Sequence, residues 1–331
     1  METTNNCITY YEFGAPQQVL RVESKKIASP GPGEVLVRML ARPINPSDLI
    51  PITGVYSHRI TLPAIPGYEG VGVVEAVGPS VSQNLIGNRV LPLRGEGTWQ
   101  QYVKTSADLA VCIPDSVHDD IAAQLYINPL TAWLSCTEVL RLSPNDVLLV
   151  NACGSSIGRI FAQLSKIIGF RLIAVTRNNT HTKELLHLGA SYVINTEEAQ
   201  LHETVRELTN GMGANAAIDS VGGESGTDLA FCVRPGGTFL TIGLLSGTSV
   251  HWADLTHKAK VNVKMFHLRH WNQQVSIQAW KESFNRLISF IIDGRLRLMM
   301  PADQYNLIDV HEAIRAAQSP ERKKGKILLT N

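Results

Sequence analysis

The residues whose types and spacing could do chemistry gather first in the stretch from Leu148 to Arg177, LLVNACGSSIGRIFAQLSKIIGFRLIAVTR. An apolar run leads into a turn of mostly small residues, NACGSSIGR, and then into apolar residues at helical spacing. A strand, a turn and a helix in that order put the free N–H groups and positive end of the helix at the turn, where a phosphate is attracted. Gly154, Ser155, Ser156, Ile157 and Gly158 would touch a diphosphate there, because small side chains let it reach the backbone. Against the usual G-x-G-x-x-G pattern this version is degenerate, with Ser155 and Ser156 where glycine is commoner. Taken alone, the same turn also suits a plain connection between strand and helix.

The second apolar run closes at Arg177, followed by Asn178. A site that selects NAD carries an acidic residue here to bind the ribose hydroxyls. An arginine offers a planar fork to a 2′-phosphate, which a carboxylate would repel. The cofactor expected from Arg177 and Asn178 is therefore NADPH, and the competing reading is a solvated arginine at a strand end. Lys183 is a weaker candidate for the same phosphate and reads more simply as an exposed lysine.

These groups need elements to hold them. At 331 residues, 44% hydrophobic and 18% charged with a net charge of +1, the chain suits two soluble domains and small-molecule partners, with no basic excess for nucleic acid. The five cysteines (Cys7, Cys112, Cys136, Cys153 and Cys232) form no C-x-x-C pair, which points to a reducing cytoplasm and away from a zinc ribbon. The polar start METTNNCITYYEF and the lack of an apolar run near ~18 residues predict neither secretion nor a membrane span. Up to about residue 120, GEVLVRMLA, EGVGVVEAVG, NRVLPL, WQQYVKT and LAVCIP read as short strands broken by Gly and Pro, a β domain. From Asp119 helical spacing begins, and DVLLVNA, RLIAVTR, SYVIN, AAIDSVG and GTFLTIG alternate with helices, two of them ending at Gly169 and Gly189. The expected fold is α/β, with a doubly wound parallel sheet in the second domain. Periodicity leaves open which domain receives the C-terminal helices and strand.

Several motifs together resemble the medium-chain dehydrogenase/reductase superfamily: GPGEVLVRMLARPINPSD, IPGYEGVGVVEAVG, INPLTAWLS, LGASYVIN, DSVGG, GGTFLTIG and GKILLT. The resemblance implies a GroES-like substrate domain over residues 1–122 and a Rossmann NADPH-binding domain over 123–266. It also implies a segment 267–331 returning to the first domain, and a cleft floored by the nicotinamide. The alcohol dehydrogenase branch holds a catalytic zinc with Cys and His. Here INPSD has no cysteine and Tyr68 replaces the histidine, so no metal is expected. His267 and His270 have metal-like spacing but lack a Cys or carboxylate nearby.

Without a Lewis acid, alcohol oxidation is chemically hard, while a conjugated alkene or a quinone accepts hydride if a hydrogen-bond donor receives the developing oxyanion. The chain resembles most the zinc-independent quinone oxidoreductases and 2-enoyl thioester reductases. That resemblance implies Tyr56 as the donor at the substrate carbonyl or only a wall residue, and Asn45 facing the nicotinamide or only capping a turn before Pro46. It implies Thr131 near the nicotinamide or bonded to its own helix, and His267 in the substrate pocket where that branch commonly has a tryptophan; Trp271 either compensates in the pocket or lies at a surface or interface. In that superfamily an edge strand such as VNVKMFHL often pairs across a two-fold axis, so the resemblance implies a homodimer. Two other readings stay open: an NADPH-binding redox sensor or structural protein with little turnover, and an alcohol dehydrogenase with atypical metal ligands.

Overall fold

A computed structural model of the chain describes residues 4–319 and 324–331; residues 1–3 of the polar N-terminus and 320–323 of the tail lie outside it. The chain divides into two compact units. Unit 1 comprises Met1–Ile127, Ser276–Asp293 and Leu298–Asn331, and unit 2 comprises Asn128–Val275 and Gly294–Arg297.

Unit 1 opens with an antiparallel pair, β1 (Thr4–Thr9) and β2 (Arg21–Lys26). It continues through β3 (Glu34–Pro43), β4 (Val71–Val77), β5 (Arg89–Leu91), β6 (Tyr102–Ser106) and β7 (Val111–Cys112). Side chains alternate along a strand, so one face of β3 carries Val35, Val37 and Met39, which pack with Val74 of β4, Val90 of β5 and Val103 of β6.

Unit 2 holds β8 (Val147–Val150), β9 (Arg171–Thr176), β10 (Tyr192–Asn195), β11 (Ala214–Asp219), β12 (Val233–Thr241) and β13 (Asn262–Met265). All are parallel, in the order β10-β9-β8-β11-β12-β13. From β8 the chain first winds one way and then returns to wind the other, so the order reverses between β8 and β11, where open α/β sheets place ligands. The doubly wound parallel sheet is therefore as expected from the β-α-β rhythm. Unit 1 is completed by β14 (Pro301–Asn306) and β15 (Lys326–Thr330), which extend its sheet as β14-β15-β3-β4-β5-β7, with β6 also on β3.

The helical spacing after Asp119 resolves into a short helix Asp119–Ala122, a helix Ile127–Leu134 and a π-helical stretch Ser135–Val139. The second helix begins late for two reasons: Pro129 fits only its first turn, and the amides of Tyr126 and Ile127 are held by the Glu69 carboxylate. Among the described residues no helix is long and apolar enough to cross a membrane.

Candidate functional site

In unit 1, β3 ends at Pro43, and Asn45 begins a one-turn helix, Pro46–Leu49, whose Asp48 accepts the Asn45 backbone N–H at 2.8 Å. The Asn45 amide is 2% exposed and is engaged on both sides. Its Nδ2 donates to Glu69 Oε1 at 2.7 Å, and its Oδ1 accepts from the Lys326 ammonium at the start of β15. Glu69 spends its other oxygen on the backbone amides of Tyr126 (3.1 Å) and Ile127 (2.7 Å). Asn45 is thus a hub between three backbone segments, and its amide is spent inside the protein.

Burial raises both carboxyls of this cluster, Glu69 and Asp48, and the Lys326 ammonium opposes the rise for each. One ammonium cannot neutralise two buried carboxylates. Asp48 is pushed up to about 7 by desolvation, with the Glu69 charge adding to it. An aspartate with an ordinary value of 3.8 in the unfolded chain and about 7 in the folded one keeps its proton longer when folded. This contribution to stability is greatest below 3.8 and is lost as pH rises through about 7. Asp48→Asn is expected to remove that slope. Denaturation midpoints from pH 4 to 8, compared for the two chains, check this; parallel curves would contradict it.

Tyr56 lies in the loop between two 3₁₀ turns, half-buried, with the Arg59 guanidinium stacked 3.7 Å from its ring centroid. Cation–π stacking limits the motion of the ring and puts a positive charge close to the phenol. Tyr68, in the place of the alcohol dehydrogenase histidine, has its phenol pushed up to about 12 by burial and by nearby Asp48, and is therefore a neutral donor.

In unit 2 the small-residue turn leads into the helix Ser156–Ile168. The Ser155 hydroxyl caps that helix by accepting the Gly158 N–H at 3.3 Å. Gly158 has to be glycine: a Cβ there would lie 2.4 Å from the Cys153 Cα and carbonyl oxygen. Burial pushes the Cys153 thiol up to about 12, so it is no nucleophile at neutral pH. Two residues missed in the sequence pin the switch point: Asn151 Nδ2 donates to Asp219 Oδ1 at 2.6 Å, and the Ser220 N–H donates to Asn151 Oδ1 at 2.8 Å. The signal available for them was a polar residue closing each of two apolar strands.

Arg177 follows β9, exposed and with no hydrogen-bond or ion-pair partner among the described residues. Asn178 beside it turns the chain by accepting the Thr180 N–H at 3.2 Å. The donor set suits a dinucleotide phosphate: first-turn helix amides at one end, and an uncommitted guanidinium with no acidic neighbour in sequence at the other.

Thr131 sits within the helix Ile127–Leu134, half-buried, and among the described residues its hydroxyl has no partner. Thr137 nearby makes the bond back to its own helix that Thr131 lacks, at 2.8 Å to Trp133 O. His267 caps the helix Leu268–Gln274, its Nδ1 accepting the Arg269 N–H at 3.1 Å, and its ring lies 5.5 Å from that of His270. Trp271 Nε1 donates to Glu138 Oε2 at 2.9 Å. The structure thus joins the turn to the segment after β9, and Asn45 to Glu69 and Lys326. His267 and Trp271 share the start of one short helix.

Residues 156–289 match the family described as zinc-binding dehydrogenase, and residues 31–115 the alcohol dehydrogenase GroES-like domain. The donor set does not suit zinc. Among the described residues no three His, Cys, Asp or Glu side chains gather where they could share an ion, and Asn45 is committed to Glu69 and Lys326. The chain is 32% identical to the mitochondrial enoyl-[acyl-carrier-protein] reductase of Mus musculus over 97% of its own length and 87% of that protein's. A Bacillus thuringiensis structure provisionally described as an NADPH:quinone reductase shares 63% identity, with a TM-score of 0.98 and 99% of each chain covered. Etr1p, the 2-enoyl thioester reductase of Candida tropicalis, in its complex with NADP and crotonyl-CoA, shares 26% identity with a TM-score of 0.86, over 99% of this chain and 100% of its own. These matches run along almost the whole chain and agree with its two larger sheets, so the protein is an oxidoreductase of the medium-chain dehydrogenase/reductase superfamily.

Proposed function

We propose that the chain is an NADPH-dependent, zinc-independent reductase that delivers hydride to an activated acceptor, either an α,β-unsaturated carbonyl compound such as a 2-enoyl thioester or an enone, or a quinone. The observation that carries this reading is the Asn45 amide. Where zinc-dependent members of the family place a metal ligand, this chain has a neutral amide locked between Lys326 and Glu69. Negative charge growing on the acceptor oxygen must then be received by hydrogen bonds, which restricts the reaction to acceptors that spread that charge well.

NADPH supplies the hydride. In unit 2 the turn from Gly154 to Gly158 would hold its diphosphate, Arg177 and Asn178 its ribose phosphate, and the Thr131 hydroxyl its nicotinamide side. In unit 1 Tyr56 donates its phenol hydrogen bond to the acceptor oxygen, with Arg59 steadying the ring. Asn45 acts through its neighbours as a positioning residue. In unit 2, His267 and Trp271 are the residues assigned to acceptor selectivity. The mitochondrial enoyl reductase among the relatives supports the thioester class of acceptor, and the Bacillus thuringiensis structure described as an NADPH:quinone reductase supports the quinone class. The open edge of β13, paired only with β12 among the described residues, supports a homodimer.

NADPH oxidation followed at 340 nm with a crotonyl thioester, 1,4-naphthoquinone and a simple enone tests the reading. Turnover of at least one is expected; tight NADPH binding with turnover of none would favour the sensor reading. Arg177→Ala is expected to weaken NADPH binding by about 10- to 150-fold, the equivalent of ~1.5–3 kcal/mol for a charge-assisted contact, and NADH binding far less. Dissociation constants for both nucleotides check it, and equal losses would mean that Arg177 never meets the phosphate.

A further inference from the structure

We infer that Arg159, held by Glu184 and His181, is a positioning residue that fixes both halves of the nucleotide site at once, the diphosphate turn and the segment after β9 that carries the 2′-phosphate contacts. The inference rests on the NADPH reading above and deepens it, since Arg159, though it ends the stretch NACGSSIGR, is no position of the G-x-G-x-x-G pattern, and its two partners lie outside that stretch.

Arg159 is a charged residue only 4% exposed, in the first turn of the helix Ser156–Ile168. Its five donors have identifiable acceptors. Nη1 donates to the Gly154 carbonyl and, at 3.3 Å, to the Ser155 carbonyl. Nε and Nη2 meet the two oxygens of Glu184 at 3.2 and 2.9 Å in a bidentate fork. Nη2 also lies 3.2 Å from His181 Nδ1. A guanidinium only donates, so His181 Nδ1 is the acceptor there and the ring proton sits on Nε2. The charge of Arg159 is neutralised by Glu184, and Arg159 does not itself bind phosphate.

What it does is orient. A trans peptide points its N–H opposite to its C=O, so drawing the Ser155 carbonyl toward Arg159 turns the Ser156 N–H the other way, out of the helix end. The partners extend the same constraint across the site. His181 and Glu184 lie on the segment that follows Arg177 and Asn178, in the 3₁₀ turn Asn179–His181 and the helix Thr182–Leu188. The His181 ring is packed against the turn so closely that a Cβ at Gly154 would sit 2.4 Å from its Cδ2. Gly154 is therefore small to admit the histidine that ties the turn to the ribose-phosphate segment. A single guanidinium thus sets the distance between the two phosphate-binding elements. A pre-set site binds a ligand without first ordering the loops around it.

Titrating the full-length chain with NADPH and with NADH, by nucleotide fluorescence and calorimetry, tests this. Arg159→Met is expected to raise the NADPH dissociation constant at least tenfold and the NADH constant by clearly less, because only NADPH carries the 2′-phosphate that the second element holds. Arg159→Lys keeps the charge without the fork and is expected not to restore affinity. Gly154→Ala, which displaces His181 and leaves the guanidinium intact, is expected to weaken NADPH in the same direction and serves if Arg159→Met does not fold. A lower melting temperature with both constants unchanged would reduce Arg159 to a packing residue and overturn the inference, as would full rescue by lysine. If the wild-type chain leaves NADPH fluorescence unchanged, the cofactor reading falls and takes this inference with it; normal wild-type binding with an unaffected variant overturns this inference alone.

Discussion

Replacing Lys326 with methionine is expected to destabilise the chain by about 3–5 kcal/mol, the cost of leaving a buried carboxylate without its counter-charge. Lys326 is 8% exposed and Glu69 1%, so water replaces little of the lost interaction. The Asn45 Oδ1 loses its donor in the same step, and a buried acceptor left unpaired adds to the cost. The double variant Lys326→Met with Glu69→Gln should recover only part of the loss: an amide at 69 carries no charge to strand, but its single oxygen cannot serve both Asn45 and the Tyr126 and Ile127 N–H groups. Chemical denaturation of the four chains of this cycle measures the coupling. A single-variant cost below about 1 kcal/mol would mean that the cluster is hydrated and that Asn45 is not held as described.

Tyr56→Phe is expected to lower kcat by about 100- to 1,000-fold, the usual effect of removing one donor from a developing oxyanion, while the NADPH dissociation constant stays unchanged. Phenylalanine keeps the ring on which Arg59 stacks, so the loop should hold its shape. Loss of rate with binding intact is therefore assigned to the hydroxyl. Unchanged kcat would make Tyr56 a wall residue, and Tyr68, whose phenol burial keeps neutral, would become the donor to test next.

Much of this architecture is legible in the sequence because it is local. Strand, turn and helix around Gly154 follow one another within a few residues, and the glycines that close two helices, Gly169 and Gly189, adopt the positive φ their positions demand. The parallel sheet follows from repetition of that unit. Pairing across long separations is another matter. β15 lies beside β3, with Leu328 opposite Pro43, and no periodicity encodes which strand the tail will meet. The groups missed at the site share that feature. Arg159 reads as one more solvated arginine on a helix until Glu184 and His181 are brought to it, and Glu69 reads as part of a motif until the amides of Tyr126 and Ile127 arrive. Lys326 offered a clue, a lysine opening an apolar strand. Asn45 was legible as a position of interest, but its amide faces a carboxylate and an ammonium that only the fold supplies.

The most direct measurement is turnover after exhaustive treatment with a zinc chelator, with NADPH saturating and activated alkenes, quinones and a simple aliphatic aldehyde offered in turn. Full retention of rate on at least one activated acceptor, with none on the aldehyde, is the expected result. Rate lost to the chelator and restored by added zinc would contradict it.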